Sequence, residues 1–291
     1  MNIQILDGIS QIAKIYNFFI LDIWGVLMDG VQPYREAPHC LQQLHAHNKT
    51  VILLSNAPRQ AHIVRERLNT IGIPSSLYND ILSSGEATRL ALTQPTNPIL
   101  KNLGSKYFYI GPDRDKALLD GLGYQASQSL EESDFMLTTG PDSENDDLES
   151  YDKLFGKARG LNLPMICANP DHVVVRQTGE RLLCAGALAD RYERSGGEAI
   201  YFGKPHKDIY SICINHLADP PLEEIIAIGD TLGTDIQGAN QFGVDTALVV
   251  GGVTAEELGM ASGQMPATNK LRDHCLKADI FPNYAMPLFR W

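Results

Sequence analysis

Four positions in this chain place a polar side chain directly behind an apolar run: Asp22 after FFIL, Ser55 after TVILL, Lys204 after AIYFG and Asp230 after IIAIG. Each has a plain reading and a chemical one. A carboxylate at the end of a buried strand is costly unless it meets a metal, a hydrogen-bond donor or solvent, so Asp22 is either a turn residue or a reactive group at a sheet edge. Ser55 and Asn56 precede Pro58. Ser and Asn are favoured helix caps and Pro suits the first helical turn; a helix start also presents free backbone N–H groups to an anion, which the Ser55 hydroxyl could join. Lys204, in YFGKPH, reads as an exposed lysine or as the cation that neutralises carboxylates and a substrate phosphate together. His206 in the same stretch reads as a loop or cap residue. Asp230 and Asp235 stand five positions apart in GDTLGTD, either capping a helix or offering the hard oxygen ligands that suit Mg²⁺.

Such side chains act together only if the fold brings them to one edge. Eight apolar runs read as strands, several ending in a polar cluster: FFILDIWG, TVILLSNAP, KYFYIGPD, DFMLTTGPD, LPMICANPD, AIYFGKP, IIAIGDT and DTALVVGG. Helical patterns lie between many of them, over 38–48, 58–71 and 208–216. Strands alternating with helices predict an α/β fold, doubly wound around a largely parallel Rossmann-like sheet. Ligands of such sheets bind outside the carboxyl ends of the strands, which is where all four positions fall. Residues 83–183 carry strand and helix signals of their own and are expected to form an inserted second α/β domain between two parts of the core, 1–82 and 184–291. The acidic stretch 141–147 reads as a solvated loop and helix start.

Composition narrows the function. With 291 residues, 44% hydrophobic and 20% charged, the chain can bury a sizeable core and is neither disordered nor a membrane protein. It has no apolar stretch long enough to span a bilayer and no signal-peptide pattern at its start, so a cytoplasmic location is the expectation. A formal charge of −11 disfavours a nucleic-acid partner, and the five scattered cysteines lack metal or disulfide spacing and read as small buried hydrophobes. Oligomeric state is left open, a homodimer included.

Taken in order, the segments LDIWGVL, LLSNAPR, YFGKPH and IGDTLGTD resemble the four motifs of the haloacid dehalogenase-like hydrolase superfamily. The long insertion between Ser55 and Lys204, with ANPD at 168–171 and GALADRYERSGG at 186–197, resembles the NagD-like class IIA branch of phosphatases, and the likeness spans nearly the whole chain. The resemblance implies an inserted α/β cap of the C2 type and a Mg²⁺-dependent phosphatase acting on a small phosphorylated metabolite, a sugar phosphate or a nucleotide. By position, Asp22 is then the nucleophile that forms an aspartyl-phosphate. Ser55, with Asn56, and Lys204 hold the phosphoryl oxygens; Asp22, Asp230 and the Trp24 carbonyl ligate Mg²⁺; and Asp235 orders the metal's waters or Lys204. Asn169 and Asp171, with His172 beside them, lie where the chain returns from cap to core and are expected to line the entrance to the site.

Trp24 departs from the pattern. Two residues after the nucleophile the family's phosphatases carry a second aspartate that protonates the leaving alcohol and then activates water. An indole can donate a hydrogen bond but cannot shuttle a proton near neutral pH. The expectation is a side chain that faces the leaving group and limits turnover, so that Trp24→Asp would raise turnover on an activated aryl phosphate by about 10–10³, below the full acid–base term of about 10²–10⁴. Three accounts fit: a phosphatase that is slow or borrows a group such as Asp29, a phosphate-ester binding or sensing protein with a degenerate site, or a hydrolase of another bond.

Overall fold

The computed structural model describes residues 3–176 and 178–291. Its strands in chain order are β1 (Gln4–Ile5), β2 (Phe18–Leu21), β3 (Thr50–Ser55), β4 (Asp80–Ser83), β5 (Lys106–Ile110), β6 (Gln125–Ser127), β7 (Phe135–Thr138), β8 (Met165–Cys167), β9 (Val173–Val175), β10 (Arg181–Leu183), β11 (Ala199–Tyr201), β12 (Ile225–Gly229), β13 (Asp245–Val249) and β14 (Tyr284–Met286). Seven of them form a parallel sheet in the order β1-β14-β13-β12-β2-β3-β4. Along β2, β3 and β12 the side chains alternate between two apolar cores. Phe19, Leu21, Val51, Leu53, Ile226 and Ile228 point into one, and Ile20, Ile52, Leu54 and Ala227 into the other. Both faces are therefore covered, which is why these strands read as unbroken apolar runs.

The order reverses between β2 and β12. From β2 the chain proceeds outward through β3 and β4, and from β12 in the opposite direction through β13 and β14. A crevice opens at such a switch point, outside the carboxyl ends of the strands. Register sets its occupants: Leu21 pairs with Ile228 on one side and Leu53 on the other, so Asp22, Ser55 and Asp230 emerge at one edge within a residue of the same level.

A second parallel sheet has the order β11-β8-β7-β5-β6, and β9 and β10 form a separate antiparallel ribbon. The chain leaves the first sheet at β4, close to the expected position 82. Its return differs from the expected 183. The helix Ala185–Arg194 follows the ribbon, and β11 then pairs with β8, Ala199 opposite Met165. Parallel neighbours need a crossover between them, and this helix lies on it, so residues 184–201 belong with the second sheet rather than the core. The helix Ala61–Thr70 also begins later than the sequence suggests; Pro58 lies in the loop before it, and Ser55 is no helix cap. The helices Ala37–Ala46 and Lys207–His216 stand where expected. No helix among the described residues is long and apolar enough to cross a membrane.

Candidate functional site

The Lys204 ammonium organises the crevice. Its Nζ donates to Asp22 Oδ1 at 2.7 Å, to Asp235 Oδ1 at 2.7 Å and to the Leu54 carbonyl at 3.0 Å, with only 4% of the side chain exposed. Asp235 reaches it from a single wide turn, Leu232–Ile236, in which the Ile236 N–H donates to the Thr231 carbonyl at 3.3 Å. Five-residue turns of this kind are uncommon and concentrate at functional sites. The other Asp235 oxygen accepts the Thr231 N–H at 3.1 Å. Gly229 leaves the space this carboxylate occupies, because a Cβ there would overlap the Asp235 side chain. Gly229→Ala is expected to lower stability by about 1–3 kcal/mol in urea unfolding through this overlap, and to lower activity with it by tilting Asp235 off Lys204.

Asp230 lies beside this group, 4% exposed. Its Oδ1 accepts the Thr231 hydroxyl at 3.1 Å, and its Oδ2 accepts the Val253 N–H at 2.8 Å. Asp22, Asp230 and Asp235 each offer an oxygen within 4.8 Å of the others. One lysine cannot neutralise three carboxylates at that spacing. Burial and the Asp235 charge push the Asp22 carboxyl up to about 7 against the pull of Lys204. Burial and the charges of Asp22 and Asp235 hold Asp230 well above the usual carboxylate range. Burial pulls the Lys204 ammonium down, but Asp22 and Asp235 outweigh it and hold it above its ordinary value. This is a site short of positive charge, built from hard oxygen donors, and it fits a divalent cation such as Mg²⁺. The Trp24 carbonyl receives no hydrogen bond from the described residues, which leaves it free as a further oxygen donor.

A cavity of about 260 Å³ opens over these groups, lined on the core side by Asp22, Trp24, Ser55, Asn56 and Asp230. The Ser55 hydroxyl accepts the Ala57 N–H at 3.2 Å and keeps its own proton for the cavity. Asn56 has another task than the one expected of it. Its Oδ1 accepts the Lys204 N–H at 2.8 Å, and its Nδ2 donates to the Lys204 carbonyl at 3.0 Å and to Asp171 Oδ1 at 2.8 Å. The amide is fully engaged in fixing the lysine's backbone. Asn169 and Asp171 do line the cavity, Asn169 accepting the Asp171 N–H at 3.1 Å. Burial pushes Asp171 up to about 6. His172 faces solvent, and His206 stacks on Tyr201 at the start of the helix Lys207–His216.

Residues 19–125 match the model of a haloacid dehalogenase-like hydrolase family, and residues 201–273 match a second one described as HAD-hydrolase-like, so that together they cover more than half of the sequence. The chain belongs to the haloacid dehalogenase-like hydrolases. It is similar to the ribonucleotide monophosphatase NagD of Escherichia coli K12, with 27% identity over 81% of this chain and 88% of that one. It is also similar to the glycerol-3-phosphate phosphatase of Gallus gallus, with 25% identity over 91% of each. The crystal structure of a haloacid dehalogenase-like hydrolase from Brucella suis 1330 superposes with a TM-score of 0.82 and 29% identity, over 98% of this chain and 99% of that one.

Within this haloacid dehalogenase-like hydrolase, Trp24 lines the cavity, but its Nε1 donates to the Val175 carbonyl on the ribbon at 2.9 Å. Asp29 is no substitute acid. It lies outside the cavity lining, and its Oδ1 accepts the N–H groups of Val31 and Gln32 at 2.8 and 2.7 Å, closing a turn. Residues that sequence reasoning missed also line the cavity, among them Arg59 and Thr231 on the core side and Arg114, Thr139 and Asp142 opposite. Asp142 belongs to the acidic stretch read as a solvated loop, whose later residues do start a helix at Asp147. No spacing rule could have found the cavity face of that stretch, since it depends on where the second sheet places the loop. All five cysteines are buried and free.

Proposed function

We propose that this hydrolase is a Mg²⁺-dependent phosphatase that cleaves a small phosphate monoester, a sugar phosphate or nucleotide in size, through an aspartyl-phosphate on Asp22. One observation carries the reading: Asp22 is held by Lys204 through Oδ1 alone, Oδ2 has no donor among the described residues, and Asp22 lines the cavity together with Asp230. A carboxylate fixed by one oxygen and free at the other is oriented for attack at phosphorus. The Ser55 hydroxyl would hold a non-bridging oxygen of the transferring group, and Lys204, whose three N–H groups are engaged, would favour that group through its charge. Asp235 keeps Lys204 in place, as its paired bonds to Nζ and the Thr231 N–H suggest. Mg²⁺, held by Asp22, Asp230 and the Trp24 carbonyl, would supply the positive charge that phosphoryl transfer requires. The names of the relatives support a phosphatase: one is a ribonucleotide monophosphatase and another a glycerol-3-phosphate phosphatase.

The test is steady-state phosphate release under saturating Mg²⁺, with calorimetry of Mg²⁺ alone. Asp230→Asn is expected to weaken Mg²⁺ binding by about tenfold or more through loss of a charged ligand; unchanged affinity would sink the metal assignment. Wild-type protein that binds phosphate esters and Mg²⁺ but releases no phosphate would instead identify a binding or sensing protein.

A further inference from the structure

Trp24 and the ribbon make one assembly. The indole ring lies against Gly30, whose φ of +89° favours glycine and where any Cβ would collide with the ring. Past the ring, Nε1 bonds the Val175 carbonyl at 2.9 Å, and Val175 pairs with Arg181 across the ribbon. Arg181 in turn bridges to Glu256 at 3.1 Å, on the helix Gly252–Glu257. That helix also holds Asp230, through the Val253 N–H and through the Thr254 hydroxyl, which donates to the Asp230 carbonyl at 2.6 Å. Beyond this anchored rung Val173, Val174, Leu182 and Leu183 of the ribbon line the cavity, as Trp24 and Val253 do.

We infer that Trp24 is a positioning residue whose indole N–H holds the ribbon as an apolar wall over the cavity, and that the site so completed takes phosphate esters of acidic hydroxyls, phenols or enols. The indole has one N–H, and the Val175 carbonyl occupies it, so Trp24 gives nothing to a leaving oxygen. Of the cavity's carboxylates beyond the metal group, Asp115 and Glu144 are held through both oxygens by Arg59 and Arg176, and Asp142 and Asp171 through one each, by the Gly111 N–H and by Asn56. A leaving oxygen against the Val and Leu side chains of the ribbon meets no proton donor there and departs unprotonated. In the first step Asp22 Oδ2 bonds phosphorus and the ester P–O bond breaks, with both electrons retained by the leaving oxygen. In the second, water bonds phosphorus, its proton passes to a phosphoryl oxygen, and the bond to Asp22 breaks to free the carboxylate. Departure as an anion costs least when the parent hydroxyl is acidic. The substrate half of this inference rests on the phosphatase reading; the ribbon half does not.

The variant is Trp24→Phe, which keeps an aromatic ring at this position and removes the N–H together with the outer ring that lies on Gly30. Hydrogen exchange followed by mass spectrometry, without Mg²⁺, is expected to show the amides of β9 and β10 exchanging about five- to tenfold faster, as loss of one hydrogen bond allows, with those of β2, β3 and β12 unchanged. Glu256→Gln, cutting the other anchor, is expected to loosen the same strands about twofold; it guards against a Trp24 variant that does not fold. Unchanged exchange in both overturns the ribbon half. For the substrate half, kcat/KM is measured with Mg²⁺ across aryl and alkyl phosphates graded in leaving-group acidity. Wild type is expected to decline steeply as the hydroxyl becomes less acidic, and Trp24→Phe to raise KM while keeping that slope. Equal rates on alkyl and aryl esters, or a slope that changes in Trp24→Phe, overturns the substrate half. Loosened strands with no phosphate released from any ester sink the phosphatase reading and the substrate half together, and leave the ribbon half standing.

Discussion

Asp22→Asn is expected to cut phosphate release by about 10⁴-fold or more and yet to give a metal-free protein that melts at or above the wild-type temperature near pH 8. The activity loss follows from the amide, which cannot attack phosphorus and brings no charge to a cation. The gain in stability follows from the surplus of negative charge. Burial and Asp235 raise the Asp22 carboxyl to about 7, above its value in the unfolded chain. A carboxylate raised in this way contributes stability below its unfolded pKa of about 4, and that contribution is lost as pH rises through about 7. Asparagine carries no such dependence, so the advantage of the variant should grow between about pH 4 and about pH 7, the window the shift defines, and shrink when Mg²⁺ is added. Thermal unfolding in a chelator at several pH values checks it. A variant that melts lower throughout would mean that the bond to Lys204 outweighs the repulsion, and the charge argument for the cation would weaken with it.

Lys204→Met is expected to be the costliest single change to the fold of the site. The ammonium satisfies two carboxylates and a carbonyl, all within 3.0 Å, and methionine has a similar length without charge or donor. Breaking a buried ion pair from one side costs about 3–5 kcal/mol, because the remaining charge is left uncompensated. Urea unfolding should register a loss of that size, and phosphate release should fall by about 10²–10³-fold or more for want of a cation on the phosphoryl oxygens. Adding Asp235→Asn removes one of the orphaned charges. The double variant should therefore recover part of the stability and none of the turnover, a coupling that two independent sites would not show. Simple additivity of the two stability changes would mean that Lys204 and Asp235 do not act as a pair.

The site was legible where chemistry and strand endings coincide. Asp22, Ser55, Lys204 and Asp230 each follow an apolar run, and parallel strands covered on both faces advertise themselves as such runs. The short strands were not legible. β1, β9, β10 and β14 have two or three residues, and their pairing is decided by the surroundings rather than by any pattern of their own. The segment GALADRYERSGG holds the helix Ala185–Arg194, but nothing in its pattern states which sheet it crosses to, and so the sequence could not show that β11 after it pairs with β8. Asn56 was assigned to substrate because its neighbours in sequence suggest an anion site, whereas its bonding partners lie 115 and 148 positions away. Trp24 was a puzzle for the same reason. The sequence makes plain that an indole cannot replace a proton shuttle, but its partner, Val175, lies 151 positions downstream.

Those separations also govern when a newly made chain can work. Asp22 meets its lysine across 182 residues, and the intervening stretch holds the whole second sheet. Closing so long a loop costs little more than closing a short one once its contents are compact, but contacts of this range form late and slowly. On a ribosome Asp22 is made early, while Lys204 and Asp230 emerge only after the inserted sheet. Until then Asp22 has neither counter-charge nor cation partner, and an incomplete chain carries no assembled reaction centre that could act on cellular phosphates.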